Sequence, residues 1–196
     1  MRWDSLFDDL AGQLDHELGV DDAGLDLEEE RLRRGRLTLR DRILACARAG
    51  GAPVLLELAD GSALRLIPRT FGRDWFAAVV AGAEHRELVI PMWAVSSIRL
   101  GPAEVEMSLA PADRPESRLV DRLTLSFVLR DLSRRRTAVR IACATGTVHG
   151  TIDRVGRDHL DVAVHEPGSS RRSSNVVEIR VIAFSTVVSV ERSGLG

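Results

Sequence analysis

A mainly β chain with α-helical elements, built as two tandem five-stranded small barrels, is the fold class this sequence predicts. Three observations predict it. Short apolar segments with period-two alternation are separated by turn-forming residues such as Asp60-Gly61 and Thr145-Gly146. The same order of segments occurs twice along the chain. Each occurrence opens with apolar residues at helical spacing.

The repeat can be read residue by residue. The first copy runs Arg36-Leu-Thr-Leu39, a helix-like segment, then Val54-Leu-Leu-Glu-Leu-Ala-Asp-Gly61. The second runs Arg122-Leu-Thr-Leu125, a similar segment, then Val139-Arg-Ile-Ala-Cys-Ala-Thr-Gly146. Gly72-Arg73-Asp74 aligns with Gly156-Arg157-Asp158, and Val89 to Ile98 aligns with Val181 to Val190. In both Gly-Arg-Asp turns glycine permits positive φ and aspartate accepts local bonds, so turn chemistry is expected there sooner than recognition. The offset moves from 86 to 84 and then to 92, which places an eight-residue insertion in the second copy near Pro167 to Asn175. A duplicated supersecondary unit is the reading this order supports.

Each unit begins with a helix. Thr38 is a candidate cap, with Asp41 three residues on in the manner of a capping box. Leu39, Ile43 and Cys46 fall on one helical face, and Leu125, Leu129 and Leu132 repeat the pattern. Arg134, Arg135 and Arg136 close the second helix, where cations suit the negative end of the dipole. Five strands follow in each unit. Val54, Leu56 and Leu58 alternate in the first, as do Val139, Ile141 and Cys143. Further strands are expected near 64–68 and 148–153, at 75–80 and 159–165, at 87–90 and 176–182, and at 95–99 and 187–191. Kinks at Pro91-Met92-Trp93 and Ala183-Phe184-Ser185 part the fourth strand from the fifth. Closing such a bent sheet into a barrel removes exposed edge.

Four segments result. Residues 1–34 are an acidic N-terminal helical segment, and 35–100 are the first helix-plus-barrel module. Residues 101–117, with Pro102, Pro111 and Pro115, read as a linker, and 118–196 are the second module. In the first segment Trp3, Phe7, Leu10, Leu14 and Leu18 make an apolar helical stripe. It is a face for the chain's own barrels or for a protein partner.

Charge is uneven. The net charge of −2 divides into eleven acids against Arg2 in residues 1–30, a net of −10, and 26 arginines against 18 acids afterwards, a net of +8. That asymmetry suggests a basic binding body with an acidic arm, or two solvated faces. No apolar run approaches the length of a membrane span. The acidic start is unlike a secretory signal. Two cysteines are too few for a disulfide framework, so a cytoplasmic setting is expected.

A helix followed by five bent strands, with a Gly turn after the first and a marked turn before the third, resembles the Sm-like (SH3-like) fold. Val139–Gly146, Gly150-Thr-Ile-Asp153, Gly156–Val164 and Val181–Val190 carry the likeness best. Met1-Arg-Trp-Asp-Ser-Leu-Phe-Asp-Asp-Leu10 and the stretch from His149 to Asp161 are similar to an uncharacterised actinobacterial family, a likeness that brings no activity with it. The Sm-like resemblance implies single-stranded RNA bound at the turns before strands three and five, and assembly into rings. The chain departs from that pattern in two places. His159, Leu160, Asp161 and Val162 follow Asp158 where such RNA binders place Asn, and neither Pro91-Met92 nor Ala183-Phe184 supplies Arg-Gly.

No phosphate-cradling loop, zinc spacing or nucleophile elbow is present in the sequence. His149, Asp153, Asp158, His159, Asp161, His165 and Glu166 form the densest polar cluster. Its His159 and Asp161 share a strand face and suit two metal ligands or an acid/base pair, or simply a solvent face. No cofactor or metal and no enzymatic activity is expected. The nucleic-acid candidates are Arg73, Arg134, Arg135, Arg136, Arg157, Arg171 and Arg172, with Trp75 or Trp93 as stacking surface or as core. The partner-binding candidates are Trp3, Phe7, Leu10 and Leu14. The expected function is a non-catalytic binding protein for RNA or another polyanion, its basic face shielded by the acidic arm. The rival is a protein–protein adaptor or homo-oligomeric scaffold.

Overall fold

Segments of alternating apolar residues become strands. The computed structural model describes residues 27–110, 119–169 and 171–193 and joins ten strands into one antiparallel sheet. The chain divides into two compact units, residues 1–39 and 40–196. The described part of the first unit holds a helix over 27–35 (α1). There Glu30 accepts hydrogen bonds from Arg33 and Arg34 at 2.5 and 2.6 Å. Those arginines hold its carboxyl down at about 2. The stripe Trp3, Phe7, Leu10 and Leu14 lies outside the described residues.

In the second unit, helix α2 (Leu39–Arg48) leads into β1 (Val54–Leu58), β2 (Ala63–Phe71), β3 (Trp75–Val80), β4 (Ala83–Pro91) and β5 (Val95–Arg99). Helix α3 (Pro102–Leu109) follows, within the segment read as a linker. It begins with Pro at its first position, where no amide hydrogen is needed. Arg42 of α2 donates to the buried Ser108 hydroxyl of α3 at 2.7 and 3.1 Å. Then α4 (Leu125–Arg134) leads into β6 (Ala138–Cys143), β7 (Gly146–Val155), β8 (His159–Val164), β9 (Glu178–Ala183) and β10 (Val187–Arg192). Single turns of 3-10 helix, Met92–Ala94 and Phe184–Thr186, occupy the two expected kinks.

The hydrogen-bonded strand order is β5-β1-β2-β3-β4-β10-β6-β7-β8-β9. Each half thus has the same internal order, and β4 of the first half pairs with β10 of the second. Two separately closed barrels were expected. The sheet is instead open and continuous, with β5 and β9 at its ends. Edge formation is relieved at the centre, where one half covers an edge of the other, and not by closure of each half.

Two cores result. Ile43, Leu56, Leu66, Phe76, Leu88 and Ile90 fill the first, and Leu125, Leu129, Val139, Ile141, Ile152 and Leu160 fill the second. Leu129 is fully buried and Cys46 and Cys143 are buried free thiols, as the helical and strand spacings predict. Burial pushes both thiols above their ordinary range, so neither is a ready nucleophile.

The Gly-Arg-Asp turns correct one expectation. Gly72 and Gly156 do not have positive φ. A Cβ on Gly72 would lie 2.1 Å from the Trp75 indole, and one on Gly156 would lie 2.6 Å from the His159 ring. Gly72 is required because the buried indole of Trp75 folds over it, while the exposed His159 ring over Gly156 is free to swing aside. Gly61 and Gly146, by contrast, do take φ of 81° and 141° in the hairpin turns.

Phe76 is fully buried and is stacked against Phe71 with centroids 5.8 Å apart. Phe76→Ala is expected to cost about 3–5 kcal/mol in urea unfolding.

Candidate functional site: the joint between the halves and the free edges

The β4–β10 pairing is short, with Val89 opposite Val190 and Leu88 opposite Glu191. Side chains from both halves reinforce it. Glu191 receives the Arg86 guanidinium in a fork, Nε and Nη2 donating to its two oxygens at 3.0 Å each. Arg140, opposite Glu191 on β6, adds a third hydrogen bond at 3.2 Å. The Glu191 side chain is only 16% exposed, so this clamp is better shielded than an ordinary surface pair. The Arg86 hydrogen bonds, against some desolvation, hold its carboxyl below the usual carboxylate range.

The Gly72-Arg73-Asp74 turn makes the second set of joint contacts. Asp74 Oδ1 accepts from the Leu125 amide at 2.8 Å, which caps the start of α4 with a carboxylate from the other half. Thr124 occupies the cap position but makes no capping bond. The Arg73 amide and the Trp75 indole Nε1 both donate to the Leu123 carbonyl, at 2.9 and 3.0 Å. Trp75 and Ala77 pack within the second half's core, and Val188 of β10 packs within the first. The Gly-Arg-Asp turn was read as local turn chemistry. Its aspartate bonds instead to a residue 51 positions away.

Beside the joint lies a cleft of about 670 Å3, lined in part by Trp93, Thr124, Ser126, Arg157, Asp158 and Phe184. Trp93 was open to a core or a stacking role. It is 42% exposed, because its Nε1 reaches across to the Phe184 carbonyl at 3.1 Å, leaving a ring face to solvent. Trp75 is buried, as its place at the start of a strand suggests.

Three of the arginine candidates are held by carboxylates. Arg134 and Arg135 both bond Asp131, at 2.5 and 2.6 Å. Arg171 forks onto Asp153 at 2.7 and 2.5 Å, pinning the second copy's insertion and depressing the Asp153 carboxyl. Arg136 is exposed with φ of 52° just past α4. Arg73, Arg157 and Arg172 are exposed, and among the described residues they form no ion pair.

The polar cluster is dispersed. His159 Nδ1 bonds Asp158 at 2.8 Å. His165 is buried, with Nε2 on the Thr151 hydroxyl at 2.9 Å. His149 Nδ1 is a buried ring nitrogen without a hydrogen-bond partner. Among the described residues, no three metal-binding side chains converge.

The end strands of the sheet carry exposed apolar residues and charge pairs. On β9, Ile179 and Val181 are 52% and 65% exposed, and Val177 just before it is 77% exposed. On β5, Arg99 forms an ion pair with Glu57 of β1. The final offset of 92 sets Arg99 on Glu191, and their register partners Leu55 and Arg140 also match, whereas on β9 Glu178 forms an ion pair with Arg180. Set against models of known protein families and against curated proteins, the chain finds no match in either.

Glu191→Gln is expected to lower stability by about 1–2 kcal/mol at pH 7, discounted from a fully buried pair for partial exposure. Because the folded carboxyl sits below its unfolded value, the unfolded state binds the proton more tightly. The difference from wild type should therefore be full above the ordinary glutamate value near ~4.3 and fade as pH falls below it. Urea unfolding at pH 7 and at successively lower pH measures both.

Proposed function

We propose that this chain is a non-catalytic scaffold that holds protein partners through the free edges of its sheet. The observation that carries this reading is the exposed apolar row Val177, Ile179 and Val181 along an end strand. An unprotected edge offers a row of backbone donors and acceptors, and apolar side chains beside it favour pairing with another chain. We read each half as a Sm-like small-barrel module. The same strand order in both halves supports that reading. Burial and desolvation keep both thiols protonated, which suits a packing role for them.

Native mass spectrometry of the full chain isolated from its own cells tests the scaffold. Complexes containing further polypeptide chains are expected. An Ile179→Asp, Val181→Asp double variant should emerge at 21.5 kDa. Wild type at that mass would sink the reading.

A second reading is favoured by the cleft. A half-exposed Trp93 beside Arg157 combines a stacking face with a cation, which suits RNA or single-stranded nucleic acid. Fluorescence anisotropy with single-stranded RNA at low salt should then show binding that falls with salt. Trp93→Ala and Arg157→Ala should each weaken it by about tenfold. No binding at low salt removes this reading.

A further inference from the structure

We infer that the joint between the halves is itself a binding site, taking a small phosphate ester with a hydroxylated body. An opening of about 380 Å3 there is lined by Arg86 of β4, Arg140 of β6, Glu191 and Arg192 at the end of β10, and Ser193 just after it. It shares none of these residues with the Trp93 cleft or the end strands, so it stands whether or not the scaffold reading does. Both halves build it, since β4 belongs to the first and β6 and β10 to the second. Register places the groups. Glu191 stands opposite Leu88 on β4 and opposite Arg140 on β6, and Arg86 lies two residues from Leu88, so Arg86, Glu191 and Arg140 leave one face of the sheet. Next to Arg140 in that row β7 places His149, not an acid.

Three guanidiniums meet one carboxylate at this opening, a net of +2. Among the described residues no second acid lines it. Glu191 positions the arginines without neutralising them all. Both its oxygens are taken by Arg86 and Arg140, and its side chain is largely covered. A guanidinium carries more N–H donors than one carboxylate uses. Beyond the clamp Arg86 keeps Nη1 and Arg140 keeps Nε and Nη2, on side chains 36% and 38% exposed. Arg192 is exposed and forms no ion pair among the described residues. The clamp has already ordered two of the three side chains, so little further rotamer freedom is lost when an anion arrives.

The lining selects the ligand. A phosphate monoester carries a charge of about −1.5 to −2 at neutral pH and three acceptor oxygens, which matches the excess of positive charge. Planar guanidiniums grip such oxygens in pairs. The opening is larger than a bare phosphate needs and falls within the size of small-molecule pockets, about 300–1,000 Å3. Among the described residues no aromatic or aliphatic side chain lines it, which disfavours a nucleotide base or an acyl chain. Ser193 and the spare guanidinium donors suit hydroxyl groups, so the body of the ester is a short polyol. One bound anion then ties β4, β6 and β10 together, and occupancy tightens the joint.

Isothermal titration calorimetry of the purified full chain with glycerol phosphate, at constant ionic strength set by sodium chloride, tests the inference. Saturable one-to-one binding is expected, with a rise in Tm at saturation. R192E and R140Q should each weaken binding by about tenfold or more. R140Q leaves the Arg86–Glu191 fork in place and R192E alters an exposed side chain, so both should fold, which their Tm without ligand checks. R172E makes the same charge change on the exposed insertion and should leave binding within about twofold. Inorganic phosphate should bind more weakly than the ester, because it leaves the polyol part of the opening unfilled. No saturable binding at about 10 mM ester, R192E and R140Q that bind like wild type, an equal loss in R172E, or inorganic phosphate held as tightly as the ester would each overturn the inference. A phosphoserine peptide bound more tightly than glycerol phosphate would move the phosphoryl group onto a protein and overturn the small-molecule assignment.

Discussion

Strand β10 serves two cores at once, and the rest of the described sheet hangs from it. It pairs with β6 of its own half on one side and with β4 of the first half on the other. Its run Val187-Val188-Ser189-Val190 is buried throughout, as a strand covered on both faces must be. A register irregularity between Val187 and Ser189 breaks the simple alternation. Val187 and Val190 consequently face the second core while Val188 enters the first. Only two backbone partners span the β4–β10 contact, so the side chains around it matter. The forked Arg86–Glu191 pair, the Asp74 cap on α4 and the Trp75 indole supply what the short ladder does not.

Electrostatics in this chain act locally. A net positive body beside an acidic N-terminal stretch suggests a broad basic face. In the described residues most of the strongly placed arginines are instead tied to nearby carboxylates: Arg134 and Arg135 to Asp131, Arg171 to Asp153, Arg86 and Arg140 to Glu191. These pairs pin helix ends, an insertion and a module joint. They leave a smaller positive field than the count of arginines implies. In the cleft, the Arg157 cation and the half-exposed Trp93 face stand together in the open.

Several misreadings share one cause. Gly72 was explained by backbone freedom, but the indole of Trp75 folds over it. Asp74 was explained by local turn bonding, but it caps a helix in the other half. Of the two roles open to Trp93, core and surface, its hydrogen bond to Phe184 selects the surface and holds it at a rim. Leu39 and Leu125 occupy matching places in identical Arg-Leu-Thr-Leu segments, yet one is covered and the other is not. Each outcome depends on the neighbouring half, which local spacing does not reveal.

The sequence by itself determined the ten strands, the two main helices before them, the duplication and most of the helix and first-strand residues of both cores. Those follow from periodicities of 2 and 3.6 residues, which depend only on near neighbours in the chain. The tertiary structure decided that the halves share one open sheet, which strand bridges them, and which strands end it among the described residues. That choice rests on contacts between residues about a hundred positions apart, such as Arg86 and Glu191. Period and composition are blind to such contacts, because any of several edges presents the same backbone donors and acceptors. Side-chain charge and fit then select among them.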